Sequence, residues 1–319
     1  MTLTRFVSWI FAFEVMIFGA GTVCGQDYPN RPIRLVTAAP GGGTDFVSRI
    51  LARGISRSLG QQIVVDNRPT RLIGELVASA QPDGYTLVLN GFSFWLTPLL
   101  VAKPTYDVPR DFAAISLLTT SPTLIVVHPS LPVTSVKELI ALAKARPGVL
   151  NYGSSTPGAP THLAGELFKS MTGTNIVGVP YKGNGPALNA LIAGEVEVMF
   201  SNVAAVSPHV KSGRLRALAV ASAQPSVLAP GLPAVSATVP GYEVASTYGI
   251  FAPKGTPEVI INRLNQVAVR FLNSPSVREQ LLKVGVEVIG SAPERLAATV
   301  KSDLVKWGKV IEQAGIRRN

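Results

Sequence analysis

Two stretches of the chain concentrate residues with chemical reach. In Pro40-Gly41-Gly42-Gly43-Thr44-Asp45, three consecutive glycines precede a hydroxyl and a carboxylate. Glycine lets the backbone approach a bound molecule closely and adopt positive φ. Thr44 or Asp45 can cap a following helix, whose free first-turn amides suit a carboxylate. No Gly-Lys-Ser/Thr follows, so this is not a P-loop, and the glycines lack the spacing of a dinucleotide fingerprint. The second stretch runs from Gly153 to His162 and packs three hydroxyls, Ser154, Ser155 and Thr156, ahead of Gly158, with Thr161 or His162 entering the next helix. Hydroxyls and amides so placed form a polar nest for an anion. Singly, each stretch also fits an ordinary turn before a capped helix; the recurrence of the pattern is the informative part.

Catalytic arrangements are harder to build. The only histidines are His128, His162 and His209. Two of them adjoin prolines, which places them in loops, and no pair has metal-ligand spacing. Ser154, His162 and Asp45 could be written down as a triad, yet no G-x-S-x-G elbow supports it. The acidic residues offer no acid/base pair, so the expectation is a protein that is not an enzyme and has no metal or other cofactor. Tyr181-Lys182-Gly183-Asn184-Gly185 could bring Lys182 or backbone amides to the same site, though a solvated lysine in a turn fits equally well. Phe92, Phe94 and Trp95 follow an apolar strand and could wall a ligand; core packing is the default for such rings.

The elements that must position these residues alternate. Arg31 to Ala39 reads as a buried strand, and apolar residues from Phe46 to Leu59 recur at helical spacing. A strand over Gln62–Asp66, a helix over Leu72–Ala80 and a strand over Tyr85–Leu89 follow. This order implies a parallel sheet with helices on both faces. Leu117 to Val127 is extended, and Ser135 with Glu138 marks a capping box for a helix over Val136–Ala145. A second α/β unit runs from Leu150 to Ala221, with helices over Thr161–Met171 and Pro186–Ala193. After a Pro- and Gly-rich stretch, a strand at Gly249–Ala252 and helices over Pro257–Asn273 and Pro293–Ala314 close the chain. The fold class is therefore α/β, with residues 26–123 and 225–319 forming a discontinuous first domain and 124–224 a second. Ligands of open α/β sheets sit beyond the carboxyl ends of the strands, so two such sheets would enclose one between them.

Composition agrees. The chain has 319 residues, 47% hydrophobic and only 15% charged, with 29 glycines and 25 prolines. This suits many short loops between buried elements, not a coiled coil or disorder. The net charge of +10 is compatible with an anionic partner, but the basic residues are scattered and lack interleaved aromatics, which argues against nucleic acid. Arg5, the apolar run from Phe6 to Phe18 and the small residues up to Gly25 read as a signal peptide over residues 1–25. Glu14 and the short run count against a membrane span. Cys24 is the only cysteine; cleavage after Gly25 would leave no thiol.

In order and spacing, a set of short motifs resembles the tripartite tricarboxylate transporter substrate-binding proteins, the TctC or Bug-type periplasmic receptors. These motifs are Tyr28-Pro-Asn-Arg-Pro-Ile-Arg34, Pro40 to Asp45, Asp66-Asn-Arg-Pro69, Pro82-Asp-Gly-Tyr-Thr86, Tyr152 to Leu163, Val179-Pro-Tyr-Lys-Gly183, Gly194 to Phe200, Gly213 to Ala219, Pro240-Gly-Tyr-Glu243 and Ala252-Pro-Lys-Gly-Thr-Pro257. The resemblance implies a two-domain, type II periplasmic-binding-protein fold with the ligand cleft between domains. It implies a small carboxylate held by Gly41 to Asp45 and Ser154 to Thr161, then handed to a two-subunit membrane permease by a monomeric receptor. Two departures stand out. The glycine-rich run usual after Asn-Arg-Pro is replaced by Thr70-Arg71-Leu72-Ile73-Gly74, and Ser201 follows Met199-Phe200 where an aspartate is usual. Ser201 can still donate to a carboxylate, and losing the aspartate favours a ligand without an ammonium group. The alternative function is a ligand-responsive sensory or docking protein on the same fold.

Overall fold

The computed structural model describes residues 28–40, 43–155 and 159–316. The expected signal peptide with Cys24, and Gly41, Gly42, Thr156 and Gly158, lie outside the described residues. The chain begins β1 (Ile33–Thr37), α1 (Gly43–Leu59), β2 (Ile63–Asn67), α2 (Thr70–Ala78), β3 (Thr86–Gly91), α3 (Phe92–Leu100), α4 (Val108–Asp111) and β4 (Phe112–Val127). It continues α5 (Val136–Ala145), β5 (Asn151–Ser154), α6 (Pro160–Thr172), β6 (Val177–Pro180), α7 (Asn184–Ala193), β7 (Val198–Asn202), α8 (Val203–Lys211) and β8 (Arg216–Val220). Last come β9 (Ala245–Pro253), α9 (Glu258–Leu272), α10 (Pro275–Lys283), β10 (Glu287–Val288) and α11 (Pro293–Gln313).

Local chemistry accounts for many of these bounds. Val47, Leu51, Ile55 and Leu59 stack four residues apart on α1 and bury against Ile33 and Leu35 of β1. At the start of α5, Ser135 Oγ accepts from the Glu138 amide at 3.2 Å. The Glu138 carboxylate reaches one residue further back than a standard capping box, taking the Thr134 amide at 2.6 Å. Gly173 ends α6 in the left-handed conformation at φ 63°, which glycine adopts without a Cβ penalty.

Strand order along the sheet is β2-β1-β3-β9-β4-β7-β5-β6, with β8 and β10 also paired to β4. The expected parallel sheet is therefore a mixed one. β1, β2 and β3 are mutually parallel, but β9 and then β4 join them antiparallel in succession. Such pairing joins Val88–Gly91 to Tyr248–Phe251, and no local signal encodes a contact between residues so distant in sequence. β4 serves both halves of the molecule. Its residues Phe112 to Pro122 pair with β9, whereas Thr123 to Val127 pair with β7, and Leu124 to Val127 also pair with β8.

The pairing senses fix where strand ends point. β1, β2 and β3 run in the same direction as β4, towards its Thr123–Val127 end. β5, β6 and β7 run against β4, towards its Phe112–Pro122 end. The carboxyl ends of the two strand sets therefore point at one another across the middle of β4. A continuous apolar core backs this joint, running from Phe94, Trp95 and Phe251 through Trp307 to Phe168, Phe200 and Tyr242. Phe92, Phe94 and Trp95 lie on α3 and are buried, so they are core residues and not a ligand wall.

Candidate functional site

Where β1 gives way to α1, Asp45 is the fixed point. Its carboxylate is buried, pairs with Arg49 Nε at 3.0 Å one turn along the helix, and accepts from Asn67 Nδ2 at 2.9 Å. Asn67 also donates to the Ala38 carbonyl at 2.6 Å and accepts from Arg49 Nη2 at 3.0 Å. This triangle ties the loop flanking Pro40 to the end of β2, leaving the start of α1 at Gly43 and Thr44 as the part able to offer amides. Asp45 is thus a positioning group. Asn67 and Arg49 were missed as site residues; the signal was the Asp66-Asn67-Arg68-Pro69 motif, whose asparagine has a structural partner in the neighbouring loop. Burial works to raise the Asp66 pKa, but the Arg34 and Arg68 guanidiniums outweigh it and hold the carboxyl below its usual range.

Tyr248 on β9 enters the same corner. A Cβ on Gly43 would lie 2.4 Å from the Tyr248 phenol oxygen, and one on Gly91 would lie 3.1 Å from the ring. The tyrosine therefore occupies a slot that exists only because both positions are glycine. Nothing in the local sequence around Tyr248 identifies it, because the two glycines come from the start of α1 and the end of β3.

In the other half, Ser155 donates its amide to Thr161 Oγ1 at 3.0 Å, and the two hydroxyls lie 2.8 Å apart. Ser154 Oγ donates to the Ser155 carbonyl at 3.1 Å. The structure thus brings Ser154, Ser155 and Thr161 together at the start of α6, as the hydroxyl pattern predicts. His162 is part-buried, with Nε2 4.0 Å from Glu166 Oε1; burial lowers its pKa, which favours the neutral ring near neutral pH. Glu166 also accepts from Tyr152 Oη at 2.7 Å and from Lys169 Nζ at 2.8 Å. His162 is therefore joined to an α6 packing network, while Asp45 is held by Arg49 and Asn67 at the start of α1.

The remaining expectations divide. Lys182 is exposed in the turn before α7. Ser201 is fully buried at the end of β7, where its Oγ accepts from Asn184 Nδ2 at 3.2 Å, so Asn184 joins the motif as a residue not foreseen. Arg71 is exposed on α2. His209 lies within α8 instead of a loop. Among the described residues, no group of three or more His, Cys, Asp or Glu could hold a metal ion. A cavity of about 730 Å³ lies between α6 and α11 and is lined by Leu167, Ser170, Lys301, Lys306 and Lys309 among others, with none of the described residues of the two strand-to-helix loops. It is a surface groove separate from the Gly43 corner and from the Ser155–Thr161 hydroxyl pair.

Known proteins match this arrangement along nearly its whole length. Residues 47–316 fit the model of the tripartite tricarboxylate transporter family receptor. BugT of Bordetella pertussis is 35% identical over 324 residues, covering 99% of each chain. The solved adipate complex of Rpa4515 from R. palustris superposes with a TM-score of 0.77 at 38% identity, covering 91% of this chain and 99% of that one. MatC from Rhodopseudomonas palustris with bound malate has a TM-score of 0.74 at 30% identity, covering 89% and 100%. The mixed sheet, the shared β4 and the paired loops are those of a two-domain periplasmic-binding-protein fold, and the chain belongs to the tripartite tricarboxylate transporter receptors, a family that binds solutes without transforming them.

Proposed function

We propose that the protein is an extracytoplasmic, periplasmic receptor that captures a small carboxylate for a tripartite tricarboxylate-type transporter. One observation carries this: the carboxyl ends of β1, β2 and β3 and those of β5, β6 and β7 point at each other across β4. Each set delivers a helix start, α1 at Gly43 and α6 at Pro160, whose first-turn amides favour an anion. Relatives that hold adipate and malate support the same ligand class.

In this reading residues 1–25 are a cleaved leader. Residues 26–123 with 225–319 form one domain and 124–224 the other, consistent with the change of β4 partners at Pro122 and Thr123. The ligand contacts are Pro40 to Asp45 on one wall and Ser154 to Thr161 on the other, with Ser201 acting through Asn184. The loaded receptor is a monomer that docks on a two-subunit permease. The test is a thermal-shift screen on refolded protein with di- and tricarboxylates, amino acids and aromatic acids, followed by calorimetry. Saturable binding of a carboxylate is expected. A flat panel from folded protein would contradict the reading.

A further inference from the structure

The corner between Gly43 and Gly91 contains a hydroxyl to which the two-loop picture assigns no role. Tyr248 Oη points at Gly43, the first residue of α1, and has no hydrogen-bond partner among the described residues. Its row of the sheet is Gly91, Tyr248 and Thr119, side by side on β3, β9 and β4. That row lies at the end of β3 and close to Pro122, where β4 leaves one sheet for the other. Directly opposed residues present side chains to the same face, so Thr119 shares this face with Tyr248. Among the described residues Thr119 Oγ1 is buried and unpartnered, as are Thr37 Oγ1 at the end of β1 and Ser48 Oγ one turn into α1. Buried hydroxyls without a partner are unusual, because leaving such groups unsatisfied is costly.

We infer that Tyr248 is a ligand-contacting, specificity-determining residue whose phenol donates a hydrogen bond to the carboxylate seated at the start of α1. The inference rests on the receptor reading above. Burial pushes the Tyr248 pKa up, so the phenol stays protonated and remains a donor at neutral pH. The ring cannot easily swing away, because Gly43 and Gly91 close on it from two sides. A group so fixed selects for an acceptor at one point: a carboxylate oxygen satisfies it, whereas an amide NH₂ or an ammonium at that point leaves two donors facing each other.

The test uses the wild type and the variants Tyr248→Phe, Gly43→Ala and the double variant. Each is titrated calorimetrically with the carboxylate giving the largest shift in the wild-type screen. Tyr248→Phe keeps the ring and removes only the donor, so the unliganded melting temperature should hold while Kd rises about 10- to 100-fold. Gly43→Ala puts a methyl where the phenol oxygen sits and should also weaken binding. Its effect should shrink when it is added to Tyr248→Phe, where that oxygen is gone. A Kd for Tyr248→Phe within about twofold of wild type, with the wild type binding, overturns the inference and leaves the receptor reading intact. A wild type that binds no carboxylate overturns both. If Tyr248→Phe does not fold, the liganded wild-type crystal structure decides. A phenol-to-carboxylate distance of at most about 3.2 Å supports the inference, and a longer one overturns it.

Discussion

Asp45 and Lys182 are both charged residues of the candidate site, yet their surroundings give them opposite weights. Asp45 is 5% exposed and holds Arg49 and Asn67 together, so removing it leaves the Asn67 amide and the Arg49 guanidinium short of an acceptor. Lys182 stands in solvent. Asp45→Ala should lower unfolding stability by about 1–3 kcal/mol, the cost of stranding part-buried donors. Carboxylate affinity should fall at least tenfold as the start of α1 loosens. Lys182→Ala should change both by much less, because exposed charges contribute little. Denaturant melts and calorimetry on the two variants check this, and equal, negligible effects would remove Asp45 from the site. At this scale the sequence was legible where residues are neighbours along the chain, as for Ser155 with Thr161. It was illegible where partners are distant: Asn67 with Asp45, Asn184 with Ser201 and Tyr248 with Gly43 meet only after the sheet has formed.

Elements carry these side chains, and their seating is testable. Gly165 lies on the face of α6 against β5, where a Cβ would come within 2.4 Å of the Tyr152 ring. That ring cannot yield easily. It is fully buried, donates its hydroxyl to Glu166 and meets Phe200 edge-on with centroids 5.8 Å apart. Alanine would gain about 1 kcal/mol in helix propensity, but overpacking should cost about 1–3 kcal/mol, so Gly165→Ala is expected to melt earlier. Because α6 must shift outward, Thr161 moves with it and affinity should fall as well. A variant as stable as wild type would show that Tyr152 can move aside. The pairing of β1 with β2 has a pH signature. Asp66 titrates below its ordinary range because of Arg34 and Arg68, which outweigh its burial. The folded state therefore binds fewer protons there than the unfolded chain. This contribution is present above the unfolded pKa, about 4, and is lost as pH falls through the lower folded value. The stability gap between wild type and Asp66→Asn at pH 7 should close on the acid side of pH 4, as read from urea melts across pH.

The whole molecule is organised by β4, which is why domain logic was only partly readable. Alternating strand and helix signals revealed two α/β units and the return of the chain to the first. They did not reveal that β9 enters the first sheet antiparallel between β3 and β4, since hydrophobic runs carry no direction. Nor did they reveal α3, whose interior Pro98 and continuous apolar sequence hide a helical period. With the two carboxyl edges facing one another, the proposed receptor holds its ligand by both walls at once, so binding should couple the two halves energetically. A ligand at 100 times its dissociation constant adds about 2.7 kcal/mol to apparent stability. At about 2–4 °C per kcal/mol this is a rise of roughly 5–10 °C in melting temperature. At the same ligand concentration, a tenfold loss of affinity on disabling either wall, by Asp45→Ala on α1 or Ser155→Ala before α6, should cut the rise roughly in half. The rise should be accompanied by a smaller radius of gyration in solution scattering as the halves close. If Ser155→Ala keeps the full shift while Asp45→Ala cuts it, the ligand is held by the first wall alone, and the clamp mechanism gives way to binding on a single domain.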